Sequence, residues 1–164
     1  MNTGQMIMTM GAMILLSTIV LRVNTLNLTN ESIRDQSQYG VLATSIATSI
    51  IEEAQSKAFD AQTDSNAVIN VLNLTPAGLL GPEAGETYNT FNDIDDFNGY
   101  TRIDSTMPSA VFNISCEVMY IHPSNLKVKY NSQTWHKKIN VTISSPFSPD
   151  TFRTSSIFSY WFFR

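Results

Sequence analysis

MIMTMGAMILLSTIVL, residues 6–21, decides how this chain is read: every position is apolar, Gly, Ser or Thr, and the first charged side chain is Arg22. As a helix these sixteen residues rise about 24 Å, and residues 1–21 about 31 Å, at roughly 1.5 Å per residue. The hydrocarbon core of a bilayer is about 30 Å thick. Ser17 and Thr18 do not spoil a lipid-facing helix, because their hydroxyls can bond back to carbonyls of the preceding turn. A secretory signal needs a basic start and a small-residue cleavage site behind the run. Here no Lys or Arg precedes it, and it closes on Leu21-Arg22-Val23-Asn24. A core helix of a soluble protein would have to enclose all sixteen residues within a small body. Residues 1–25 are therefore read as a membrane-inserted or filament-core helix segment. Methionines at 1, 6, 8, 10 and 13 suit either environment, since thioether chains fill irregular gaps as readily as they meet lipid.

Outward from this run the chain stays free of proline until Pro76. Over Ser45 to Ala58, Ile46, Ile50 and Ala54 recur at i+4, flanked by Ala43, Ala47, Ile51 and Ala58, with Glu52, Glu53, Gln55 and Lys57 largely off that stripe. The pattern predicts one long helix over about residues 3–58, with a local loosening around Asn27 to Asn30; two helices joined by a short break is the runner-up. Residues 26–58 form its amphipathic part, the start of a head spanning 26–164. Residues 59–98 form a connector rich in turn chemistry, with Pro76, Gly78, Gly81, Pro82 and Gly85. Val68 to Leu72 reads as one or two helical turns or an isolated strand.

Residues 99–164 read as an antiparallel sheet. In AVFNISCEVMYI (110–121), Ala110, Phe112, Ile114, Cys116, Val118 and Tyr120 share one face. In WHKKINVTIS (135–144), Trp135, Ile139, Val141 and Ile143 do the same against His136, Lys138, Asn140 and Thr142. TSSIFSYWFFR supplies a third strand, Gly99 to Asp104 a short fourth, and Leu126 to Tyr130 a flap. Period two with one polar face marks a sheet with one side on a core. The fold class is α+β: a long N-terminal helix with a projecting apolar half, its C-terminal half packed on a small antiparallel β-sheet.

Charge narrows the function. The 164 residues are 43% apolar but only 15% charged, with a net charge of −4, well below the usual quarter charged. Residues 1–110 carry −8 and residues 111–164 carry +4. Such a chain lacks the basic stripe that nucleic-acid binding calls for. A lone Cys116 excludes an internal disulfide and a cysteine zinc cluster. Neither H-E-x-x-H, G-x-S-x-G nor a glycine-rich phosphate loop occurs, so no enzyme is expected. His122 and His136 read as ordinary surface or edge histidines, and Cys116 as a small core hydrophobe. The densest oxygen cluster is Asn92-Asp93-Ile94-Asp95-Asp96-Phe97-Asn98-Gly99. It reads either as an acidic turn held by its own side-chain-to-backbone bonds, or as a weak calcium site of Asp93, Asp95, Asp96 and Asn98. An EF-hand loop is not matched, because Ile94 falls at the first ligand and no Glu closes it. Lys127, Lys129, Lys137 and Lys138 read as a modest, solvated positive patch that could meet acidic parts of a neighbouring copy. Otherwise no cofactor is expected.

A near-terminal glycine and polar residue (Gly4-Gln5-Met6), the uncharged run to Leu21, a long helix and a small sheet together resemble the type IV pilin family, pseudopilins included. Asp93-Ile94-Asp95-Asp96-Phe97-Asn98-Gly99-Tyr100, a Val/Tyr-rich strand and a late Phe158-Ser159-Tyr160 are similar to minor pilins of the mannose-sensitive haemagglutinin type. The resemblance implies a structural subunit of a pilus-like filament or pseudopilus that assembles with itself or with related pilin-like subunits. It implies a single-pass inner-membrane protein with an extracytoplasmic head before assembly, and an extracellular or cell-surface filament after it. Met6, Met10, Gly11, Ile14, Leu15, Thr18 and Leu21 are the candidate assembly positions. A monomeric, membrane-anchored binding module that takes calcium is the competing reading. The chain departs from the family in having no Lys or Arg before Gly4, in Thr9 where a glutamate is usual, and in its single cysteine. The resemblance also implies leader removal between Gly4 and Gln5. N-terminal peptide mass spectrometry of the membrane-extracted protein should then find a chain beginning at Gln5; one retaining Met1 to Gly4 overturns this.

Overall fold

A computed structural model of the chain describes residues 2–107 and 110–162. They fall into two compact units, Met1–Gln38 and Tyr39–Arg164. The first unit is helical from Thr3 onward. Helix α1, Thr3–Gln55, continues from it into the second. The loosening anticipated at Asn27 to Asn30 is absent. There the polar side chains serve the helix: Thr25 and Thr29 donate their hydroxyls to the carbonyls of Leu21 and Thr25, each at 2.9 Å. α1 ends at Gln55 rather than near Ala58, because Ala58 is drawn out to the acidic turn. Its N–H donates to the Asn92 carbonyl and its carbonyl accepts from Ile94, both at 3.0 Å.

In the second unit the buried stripe of α1 is Ala43, Ala47, Ile50 and Ala54, with Ile46 and Ile51 half-buried beside it. The stripe is turned slightly from the Ile46–Ile50–Ala54 row read from sequence, toward its smallest residues. Alanines let a helix approach a sheet closely, and Tyr39 adds an edge-on ring contact with Phe112 at 6.2 Å.

The sheet is a meander, β1 (Thr101–Met107), β2 (Ala110–Tyr120), β3 (His136–Ser145) and β4 (Ser148–Ser159), in that spatial order and antiparallel throughout. The inward row of β2 is Ala110, Phe112, Ile114, Cys116, Val118 and Tyr120, as its alternation requires. Opposite it on β3 lie Ile143, Val141 and Ile139, and then Lys137, paired in register with Tyr120. β4 starts earlier than the sequence suggested and includes Pro149, which an edge strand tolerates because it asks for fewer ladder donors. It closes at Ser159, where Tyr160 turns inward and stacks on Trp135 at 5.2 Å. Phe163 and Arg164, read as part of this strand, lie outside the described residues. Leu126 to Tyr130 forms turns without a strand, while Val71–Asn73 supplies the short helical turn expected near Val68 to Leu72.

Ala43 is fully buried and Thr44, one position on, is exposed. Overpacking a filled core costs about 1–3 kcal/mol, so Ala43→Leu should lower the melting temperature of the full chain in detergent. Thr44→Leu should stay within about 0.5 kcal/mol of the parent. Equal effects of the two would show that the stripe is not the packed face.

Candidate functional site

Two features stand out, one in each unit. The first is the apolar run. α1 is long and apolar enough to cross a membrane, and its most apolar window is wholly unburied. Met6, Met10, Ile14, Leu15 and Leu21 are each more than half exposed. Met6, Met10, Ile14 and Thr18 succeed one another at i+4, so they share one side of the helix. The hydroxyls within the run are satisfied internally: Thr9 donates to Met6 O at 2.9 Å, Ser17 to Met13 O at 2.8 Å and Thr18 to Leu15 O at 2.8 Å. The surface offered outward is thus apolar even where the sequence is not. Gly4 and Gln5 lie in the first turn of α1. A Cβ on Gly11 would meet nothing within 4 Å, so that position is open.

The second feature lies under the sheet. Lys137, expected from sequence in a solvated patch, is instead wholly buried. The period-two row that places Ile139, Val141 and Ile143 inward places Lys137 inward as well. Its Nζ donates to Phe59 O at 2.8 Å, to Asp60 Oδ2 at 2.8 Å and to Asp95 Oδ1. Three acceptors meet the three donors of an ammonium. The Phe59 and Tyr120 rings wall the site, with centroids 4.7 and 5.3 Å from Nζ.

Asp60 is positioned by the exit of α1. Its Oδ1 caps the turn Ala61–Thr63 by accepting from Gln62 N at 3.1 Å, and also accepts from Thr75 N and Oγ1. Tyr120 Oη donates to its Oδ2 at 3.0 Å. Burial alone would push this carboxyl up. Lys137 and the surrounding donors outweigh burial and hold it below the ordinary carboxylate range. Asp95 goes the other way: burial raises it to about 6 against the pull of Lys137. Asp93 is raised to about 8 by burial and by the neighbouring Asp95 and Asp96.

The acidic turn is therefore folded inward. Asp93, Asp95 and Asp96 are all buried. Asp93 Oδ1 accepts from Asp95 N at 2.6 Å, and Asp96 Oδ2 accepts from Asn92 N at 2.8 Å and Asp93 N at 3.1 Å. Asn98 is spent on the fold, donating to Leu80 O at 2.8 Å and accepting from Val118 N at 3.0 Å. Gly99, at φ +78°, turns the chain out of the loop into β1. Of the four residues read from sequence as a calcium site, Asp96 joins a group of carboxylates close enough to share a cation. Asp96, Glu83 and Glu86 bring one oxygen each to within 4.8 Å of one another. Cys116 is buried, which pushes its thiol up to about 12 and leaves it a core group. No protein-family model, curated protein or solved structure matches the chain.

The Asp93 shift has a sign that can be measured. An unfolded Asp titrates near 4 and the folded Asp93 near 8. The folded state therefore binds more protons across that window, and stability falls as pH rises through it. Asp60 acts oppositely, its contribution being lost only as pH falls below about 4. Melting curves should show a decline from pH 5 to pH 8 that is flattened in Asp93→Asn. An unchanged slope in that variant would overturn the assignment.

Proposed function

We propose that the chain is a non-enzymatic structural subunit of a pilus-like filament or pseudopilus, held first in the inner membrane by α1 and then polymerised through it. The observation that carries this reading is the unburied apolar surface of residues 6–21, whose hydroxyls, on Thr9, Ser17 and Thr18, are turned back into the helix. A surface of this kind calls for lipid or for other helices. A single-pass anchor satisfies it with lipid; a filament satisfies it with copies of itself or of related subunits. Gly11 and Ala12 favour helices, since small residues let backbones approach closely enough for dispersion contacts. The resemblance to type IV pilins in Gly4-Gln5-Met6 and in residues 93–100 points the same way, with the head displayed outside the cell.

Gly11→Leu separates assembly from anchoring. It removes the small-residue contact without adding polarity, and nothing in the chain itself obstructs it. In a filament subunit it should lower the yield of sheared filaments seen by electron microscopy at least several-fold, with membrane content unchanged. Parent protein that stays monodisperse in detergent, with no filaments on cells, would favour the anchored module instead.

A further inference from the structure

Lys137 and Asp95 lie 42 positions apart, yet their side chains meet in direct contact, both buried. Aromatic rings cover the amine, and a second carboxylate, Asp60, accepts from it at 2.8 Å. A third carboxyl, Asp93, lies beside Asp95, its Oδ1 accepting from Asp95 N at 2.6 Å. Asp93 Oδ2 and Asp95 Oδ2 are both buried without a hydrogen-bond partner. From this geometry we infer that the head closes an intramolecular amide bond between Lys137 Nζ and Asp95 Cγ.

Each group has a part in that step. Asp60 takes a proton from Lys137 and leaves a neutral amine whose lone pair attacks Cγ of Asp95. Asp93, in its neutral form, gives its proton to the Asp95 oxygen that will leave. The tetrahedral centre collapses with the C–O bond broken, and the departing hydroxyl takes a second proton from Nζ and leaves as water. The proton held by Asp60 returns to Asp93. One N–C bond forms, one C–O bond breaks, one water is released, and an ammonium and a carboxylate become a neutral amide. No oxidant or co-reactant is required.

Condensation is unfavourable in bulk water, and three features of the site reverse this. The partners are held together, which replaces an encounter with a positioned step. Water is excluded by Phe59 and Tyr120. The Lys137–Asp95 ion pair, which is costly to keep buried, becomes a neutral amide, while Asp60 keeps its donors from Gln62, Thr75 and Tyr120. In the product the amide N–H still donates to Asp60, and protonated Asp93 donates to the amide oxygen that remains. With Cys116 as its only cysteine, the head has no internal disulfide, and this bond ties the acidic turn to β3 covalently.

The test is a protease digest of the full chain purified in detergent and fully denatured, read by tandem mass spectrometry. The expected result is a branched peptide joining the segments around Asp95 and Lys137, lighter by one water than their sum. Lys137→Arg, whose guanidinium cannot condense in this way, should give only linear peptides of full mass. Unlinked peptides in the parent overturn the inference. So does a water loss confined to one linear peptide, which would be an aspartyl imide, and so does a linked species that persists in Lys137→Arg. The readout is independent of whether residues 1–4 are removed and of whether the chain forms filaments.

Discussion

One ammonium organises the head. Lys137 Nζ touches the carbonyl of Phe59 and the carboxylates of Asp60 and Asp95, so the exit of α1, the connector and the acidic turn are all pinned to one position on β3. None of these segments is a strand of the sheet, and the region between α1 and β1 contains only short helical turns and loops. Irregular backbone of that kind has little periodic hydrogen bonding to hold it. Charge supplies what periodicity does not. An uncompensated buried charge costs several kcal/mol, so a conformation that moves Asp60 or Asp95 away from Lys137 is strongly disfavoured. The aromatic group of Tyr88, Phe91, Phe97 and Tyr100 then packs over the turn so fixed, with Tyr88 and Tyr100 stacked at 4.7 Å.

The two units solve the polarity problem in opposite ways. In α1 up to Leu21 there are no charged groups to satisfy, and each hydroxyl of the run is returned to a backbone carbonyl within its own helix. Nothing polar is left to hold that surface in water. The head carries a conflict at its centre, with carboxyls outnumbering the one buried amine, and resolves it by proton uptake at Asp93 and by directed donors at Asp60. A surface without polar demands is suited to apolar neighbours, whether lipid or protein. A core with strict polar demands is suited to keeping one shape.

What could be read from sequence follows from the range of the interactions. Periods of two and of 3.6 are local, so the inward row of β2, the buried stripe of α1 and the uncharged run were all legible. The helix end was misread by a few residues because Ala58 leaves to pair with Asn92 and Ile94, 34 and more positions away. Lys137 was within reach: it sits two residues before Ile139 on the same face, and only its charge argued for solvent. Its partners were not. Asp60 and Asp95 are separated from it by 77 and 42 positions, and no local spacing encodes such a meeting. Asp60 in particular looks like turn chemistry, which it also performs.

The cluster 93–98 shows why an acidic motif alone does not define a cation site. A carboxylate in a loop can meet its valence with a cation, with backbone donors, with a lysine, or by holding a proton, and neighbouring carboxylates of this turn are met in different ways. Asp96 takes backbone N–H groups, Asp95 takes Lys137, and burial beside two carboxylates pushes Asp93 up toward its neutral form. Each of the three keeps one buried oxygen without a hydrogen-bond partner, Asp93 Oδ2, Asp95 Oδ2 and Asp96 Oδ1, and the Asp96 carboxylate also approaches Glu83 and Glu86. The choice among these outcomes is made by what the rest of the chain brings alongside. Here the decisive neighbour is the inward-facing lysine of β3, which turns a metal-like sequence into the polar centre of a folded head.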